Sequence, residues 1–156
     1  MAAGIPQTVK NQVPCGFRPS AALRAGVEIL ASADGPGVRV SSDSMAPQLQ
    51  AGDRVFAEPA RARDLSIGDV VLVDWNGLLR AHRFLYRKGR GRVVTKGDAE
   101  RRLDAPVRSE CVVARVTGFE RGGRRTNMSA PALRIRGLMN LAEGALYGFF
   151  GIFKVR

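Results

Sequence analysis

One histidine and two cysteines stand in the 156 residues, and the cysteines, Cys15 and Cys111, form no CxxC pair. That scarcity excludes zinc sites of the cysteine/histidine kind, and no metal or other cofactor is expected. Aromatics are only 6% of the chain. Long apolar runs are scarce as well. The longest weakly charged stretch, residues 137–153, is interrupted by Glu143 and falls short of the ~20 residues that span a bilayer. The first twenty residues hold Pro6, Pro14 and Pro19 and no apolar core of the kind an export signal needs. No signal peptide and no spanning helix is therefore expected, which points to a cytoplasmic or peripherally membrane-bound protein.

Acids are also few: 14 Asp and Glu face 25 Lys and Arg, a net charge of +11. Such an excess attracts anionic partners without naming one. The chain is nonetheless 45% hydrophobic, enough to bury the core of one domain of this length.

Residues 1–19 read as a flexible arm. Ser20 reads as the N-cap of a short helix carrying Leu23, Val27 and Leu30 at helical spacing, stopped by Gly35-Pro36-Gly37. A mainly β domain follows from about Val38 to Glu120. Within it DVVLVDW and LLRAHRFLY flank Asn76-Gly77, a pair suited to a two-residue hairpin because both turn positions require positive φ. RVVTKGD and RSECVVARVTGFE supply later strands, and RGGRR is expected to break the pattern. The two Arg/Gly turns read as solvated loops rather than nucleic-acid contacts. The organisation expected is thus an arm (1–19), a β domain with its helix (20–120), and a basic turn with a tail (121–156). The tail sets Leu138, Leu141, Ala142, Leu146, Phe149 and Phe153 on one helical stripe between basic residues. This amphipathic helix suits either an anionic membrane surface or packing on the β domain.

Ser44 lies in Ser-Asp-Ser-Met-Ala-Pro, between a strand and the Gly52-Asp53 turn. A serine there is ordinarily a turn residue. A hydroxyl becomes a nucleophile only when a base takes its proton, and His82 is the one imidazole available. Asp98 and Asp104 follow in TKGDAERRLD, so an acid to orient the ring is also present.

SSDSMAPQLQAGDRV resembles the nucleophile box of type I signal peptidases and their LexA-like relatives, and IGDVV, AHR and TKGDAERRLD match the later boxes in order. The resemblance implies a mainly β signal-peptidase/LexA-like domain and a serine endopeptidase acting on an extended peptide or preprotein segment. The base in such proteins is lysine or histidine. His82, followed by Arg83, resembles the histidine branch of endoplasmic-reticulum, archaeal and sporulation-type enzymes. By the same likeness Ser44 is the nucleophile, His82 the base and Asp104 its orienting acid, with Asp98 the reserve or a structural partner. Ser42 and the Ser44 N–H are the oxyanion donors. Met45 and Pro47 shape the bend and substrate floor, and the substrate lies beside residues 38–40, against Val40. Lys96 is expected to be structural. Gln48 and Glu100 depart from the box residues threonine and asparagine. Two rival readings are self-processing, at Ala3-Gly4, Cys15-Gly16 or Ala25-Gly26, and an inactive basic module on the same scaffold.

Overall fold

The computed structural model describes residues 19, 21–32 and 34–128. The proposed cap at Ser20, nearly all of the arm and the whole striped tail helix lie outside the described residues. What is described is mainly β: eight antiparallel strands and one short α-helix.

Helix α1 (Ala21–Ala31) buries Val27 and Ala31 against the sheet. Leu30, expected on that stripe, is 47% exposed. The four-residue step from Val27 reaches Ala31, and the sheet lies close enough for only the smaller side chain. The chain then enters β1 (Val38–Arg39), β2 (Arg54–Pro59), β3 (Val70–Trp75), β4 (Leu78–Lys88), β5 (Arg92–Lys96), β6 (Val107–Arg108), β7 (Val112–Arg121) and β8 (Arg124–Asn127). The sheet order is β1-β2-β7-β3-β4-β5-β6, with β8 beside β7.

Strand β3 is buried at every position. Its alternate side chains feed two different clusters: Val70 and Leu72 join Val27, Met45, Leu49 and Val113, while Val71, Val73 and Trp75 join Phe84, Val93 and Val112. A strand covered on both faces reads as a continuous apolar run, as DVVLVDW does. Each fully buried valine or leucine contributes about 1.5–3 kcal/mol.

Asn76 (φ 55°) and Gly77 (φ 84°) make the expected two-residue turn between β3 and β4, and the Asp74 carboxylate accepts the Gly77 N–H at 2.7 Å. The sheet does not end at RGGRR. Gly122 (φ 56°) and Gly123 (φ 76°) form the same left-handed pair, so Arg121 pairs with Arg124 and β8 runs back along β7. The glycines read as a breaker are the turn of a second hairpin, and the sheet passes the boundary expected at residue 120. Met128, just beyond β8, is buried in the α1-side core.

Candidate active site

The segment between β1 and β2 is held by carboxylates at both ends. Asp43 accepts the Ala51 N–H at 2.9 Å, and Asp53 accepts the Gln50 N–H at 2.8 Å. Arg121 donates to both Asp53 oxygens, at 2.8 and 2.7 Å. This guanidinium holds the Asp53 carboxyl below its usual range, its hydrogen bonds outweighing the opposing effect of burial. Met45 and Leu49 pin the segment to the core. Met45 is 1% exposed, so it anchors the bend and offers no surface to a substrate, contrary to the expectation of a substrate floor. Pro47 is exposed, and Val40 is half-buried against the core.

That anchoring fixes Ser44, whose carbonyl oxygen accepts the Ala99 N–H at 2.9 Å. Its Oγ lies 3.3 Å from Nε2 of His82. His82 stands on β4 and is 3% exposed. Its Nδ1 lies 2.6 Å from Oδ2 of Asp104. Nδ1–H donating to the Asp104 carboxylate is the tautomer that, in a neutral ring, turns the Nε2 lone pair toward the serine hydroxyl. Ser42 Oγ lies 3.4 Å from Ser44 Oγ, and Ser42 is exposed.

The reserve acid goes elsewhere. Asp98 takes the guanidinium of Arg83 through both oxygens, Nε at 2.7 Å and Nη2 at 2.5 Å. Arg83 is 1% exposed and also donates to Gly68 O and Gln48 Oε1, each at 2.6 Å. A buried guanidinium needs such saturation because an unpaired one would carry a large desolvation penalty. Of the two roles expected for Asp98, reserve orienting acid or structural partner, its contacts are those of the second, with Arg83 taking both oxygens, and Gln48, where threonine was the pattern, completes the same network.

Two residues that touch the candidate site escaped the sequence reading. Thr95 Oγ1 donates to Asp104 Oδ2 at 2.6 Å, and the Asp104 N–H donates to Thr95 O at 3.0 Å, so one threonine fixes the acid by side chain and backbone together. Gly97 is the other: a Cβ there would sit 2.6 Å from Ser44 O and 3.2 Å from His82 Nε2. Both belong to the TKGD box, which was read for its aspartate. Lys96 of that box is buried, with Nζ donating to Gly97 O at 3.1 Å. Burial lowers its pKa, while Asp98, Glu100 and Asp104 partly oppose the shift. Among the described residues no cluster of three ligating side chains could hold a metal ion, and no helix is long and apolar enough to cross a membrane.

A serine hydroxyl, an imidazole and a carboxylate in hydrogen-bonded series on an antiparallel sheet define a serine-peptidase-like arrangement. The family comparison agrees in scaffold: the model for Peptidase S24-like proteins matches residues 1–120, and the chain belongs to that family. Neither the curated proteins nor the solved structures gave a match.

Proposed function

We propose that the chain is a serine endopeptidase of the histidine-base kind, cutting an extended peptide or preprotein segment in the manner of signal peptidases. The observation that carries this reading is the series Ser44 Oγ, His82 Nε2/Nδ1 and Asp104 Oδ2, at 3.3 and 2.6 Å. Such a spacing at the serine is ordinary before substrate tightens it.

In this mechanism His82 Nε2 accepts the Ser44 proton while Oγ bonds to the substrate carbonyl carbon. Asp104, accepting from Nδ1–H, keeps the ring oriented and stabilises the imidazolium. The imidazolium then gives its proton to the leaving amine, and the acyl group stays on Ser44. Water repeats the sequence: His82 takes its proton, the hydroxide oxygen bonds to the acyl carbon, and Ser44 leaves with the proton returned. The Ser44 N–H and the Ser42 hydroxyl serve as oxyanion donors, each such donor being worth about 3 kcal/mol of transition-state stabilisation.

Cleavage of another chain is favoured over self-processing at Ala25-Gly26, because that bond lies inside α1 and a helical bond cannot lie extended across Ser44. The other two candidate bonds lie outside the described residues.

The test is mass spectrometry of candidate precursors co-expressed with the native chain and with Ser44→Ala, His82→Ala and Lys96→Met. Cleavage is expected to vanish in the first two and to persist in the third. Loss with Lys96→Met and survival with His82→Ala would transfer the base to lysine. A shortened form of the chain itself, abolished by Ser44→Ala, would replace cleavage in trans by self-processing.

A further inference from the structure

Strand β1 stands at one end of the sheet order and, among the described residues, pairs only with β2. The Val40 N–H donates to Asp53 O at 2.8 Å, and Val40 O accepts the Gly52 N–H at 2.9 Å. Val40 thus turns both backbone groups inward. In an antiparallel ladder its neighbours Arg39 and Ser41 turn theirs outward. Two residues earlier on that outer side, the Gly37 N–H is taken by Leu30 O at the end of α1. Among the described residues, the open part of the edge therefore begins at Arg39 and leads directly to Ser44.

The side chains along this edge divide by face. Val38 packs on the α1-side core, whereas Arg39 is exposed on the opposite face. There it opens a cross-strand row, Arg39 opposite Arg54, Arg54 opposite Glu120 and Glu120 opposite Arg125. Phe56 is the buried floor of the row, with the Arg125 guanidinium 3.7 Å over its ring. Gly37 leaves room for the Arg54 stem, since a Cβ there would meet Arg54 Cβ at 3.1 Å. Arg39 and Arg54 thus stand directly opposed, a pairing of like charges that weakens a ladder. Among the described residues neither forms an ion pair with a carboxylate.

We infer that Arg39 and Arg54 select an acidic side chain in the substrate, within about five residues of the bond to be cut. The inference rests on the peptidase reading and adds a substrate class to it. A strand paired to the outer edge of β1 alternates its side chains between the two faces. One set meets the core side near Val40, and the other meets Arg39, with Arg54 one strand spacing, about 4.8 Å, further in. Ser44 is the fifth residue after Arg39, so the Arg39 backbone lies at most about 17 Å from that of the nucleophile. An aspartate or glutamate on that set relieves the arginine–arginine opposition, whereas a lysine adds a third like charge.

The probe is a set of fluorogenic peptides identical except for one Asp, Asn or Lys, moved through the positions on either side of a small-residue cleavage site. At one register kcat/KM should fall in the order Asp, Asn, Lys, by about two- to fivefold per step. The difference should fade at high salt. Arg39→Glu with Arg54→Glu should reverse the order at that register alone. Binding of the same peptides to the full Ser44→Ala chain, read by anisotropy, should follow the same order. Binding and cleavage indifferent to charge would overturn the inference and leave the peptidase reading standing. Charge-ordered binding with no turnover by the native chain would sink the peptidase reading instead. Anionic vesicles binding through these arginines, with no effect of peptide charge, would make the row a lipid-facing surface and also overturn the inference.

Discussion

Replacing Gly97 by alanine tests whether the nucleophile's position is set by the TKGD turn. The new Cβ would lie 2.6 Å from Ser44 O, 2.8 Å from Glu100 Cγ and 3.2 Å from His82 Nε2. Glu100 can swing aside, but a backbone carbonyl cannot. To restore a 3.0 Å approach, Ser44 O and residue 97 must separate by 0.4 Å, and the Ala99 N–H bond to that oxygen lengthens or tilts. Ser44 Oγ, already 3.3 Å from His82, moves with its own backbone. A misplacement of 1 Å can cost about a hundredfold in rate, so a shift of this size should lower kcat by roughly sixfold. Overpacking should also cost about 1–3 kcal/mol of stability, and denaturant unfolding measures that separately. Gly26→Ala is the control. It lies in α1 with nothing within 4 Å of the added methyl, so it should stabilise the fold by about 0.5–1 kcal/mol and leave kcat unchanged. A Gly97→Ala chain that is folded and fully active would refute the argument that this glycine seats the serine.

The two aspartates of the TKGD region should separate stability from turnover. Asp98→Asn leaves the Arg83 guanidinium buried without its anion and should cost about 3–5 kcal/mol in denaturant unfolding. Asp104→Asn should leave most of that stability but lower kcat by on the order of 10⁴, because the wrong tautomer is stabilised on His82; equal effects of both in both assays would contradict the assignment. The Asp53 carboxyl, held below its ordinary range chiefly by its hydrogen bonds from Arg121, stabilises the fold fully above its unfolded pKa of about 3.9. That contribution is lost as pH falls from there through the lower folded value. Asp53→Asn should therefore flatten the acid limb of stability measured below about pH 4, and an unchanged limb would show that the pair does not couple to folding.

Much of this arrangement was legible because turn chemistry and alternation are local. Asn76-Gly77 announced its hairpin through the positive φ both residues adopt, and DVVLVDW announced a strand beside that turn, though not that both of its faces would be covered. Gly122-Gly123 carried the same information, yet flanking arginines made it look like a solvated loop. The error at Leu30 has another origin: helical spacing specifies a face but not how near the sheet approaches, and the sheet admits Ala31. At the site, the order serine, histidine, aspartate could be read, but only the family resemblance, and nothing in the residues themselves, put Asp104 ahead of Asp98. Both lie in one short loop, and only their three-dimensional partners separate them. Thr95 was invisible for the same reason, since a strand threonine has no local mark of the carboxylate it will meet.

The partners that separate those aspartates also explain why His82 and Arg83 adjoin. Consecutive residues of a strand point to opposite faces. His82 therefore enters the side where Thr95 and Asp104 hold its ring, and Arg83 enters the other, where Asp98, Gln48 and Gly68 saturate it. Gln48 belongs to the serine segment and Asp98 to the TKGD turn, so the guanidinium ties both to β4 one residue from the imidazole. The Ala99 N–H bond to Ser44 O closes the same circuit from the other side. The serine, the histidine and the turn carrying the acid are thus fastened to one another by groups outside the proton relay. A weak contact at 3.3 Å between Ser44 and His82 need not supply the positioning energy itself, which leaves the serine hydroxyl free to turn toward a substrate carbonyl while its backbone stays in place.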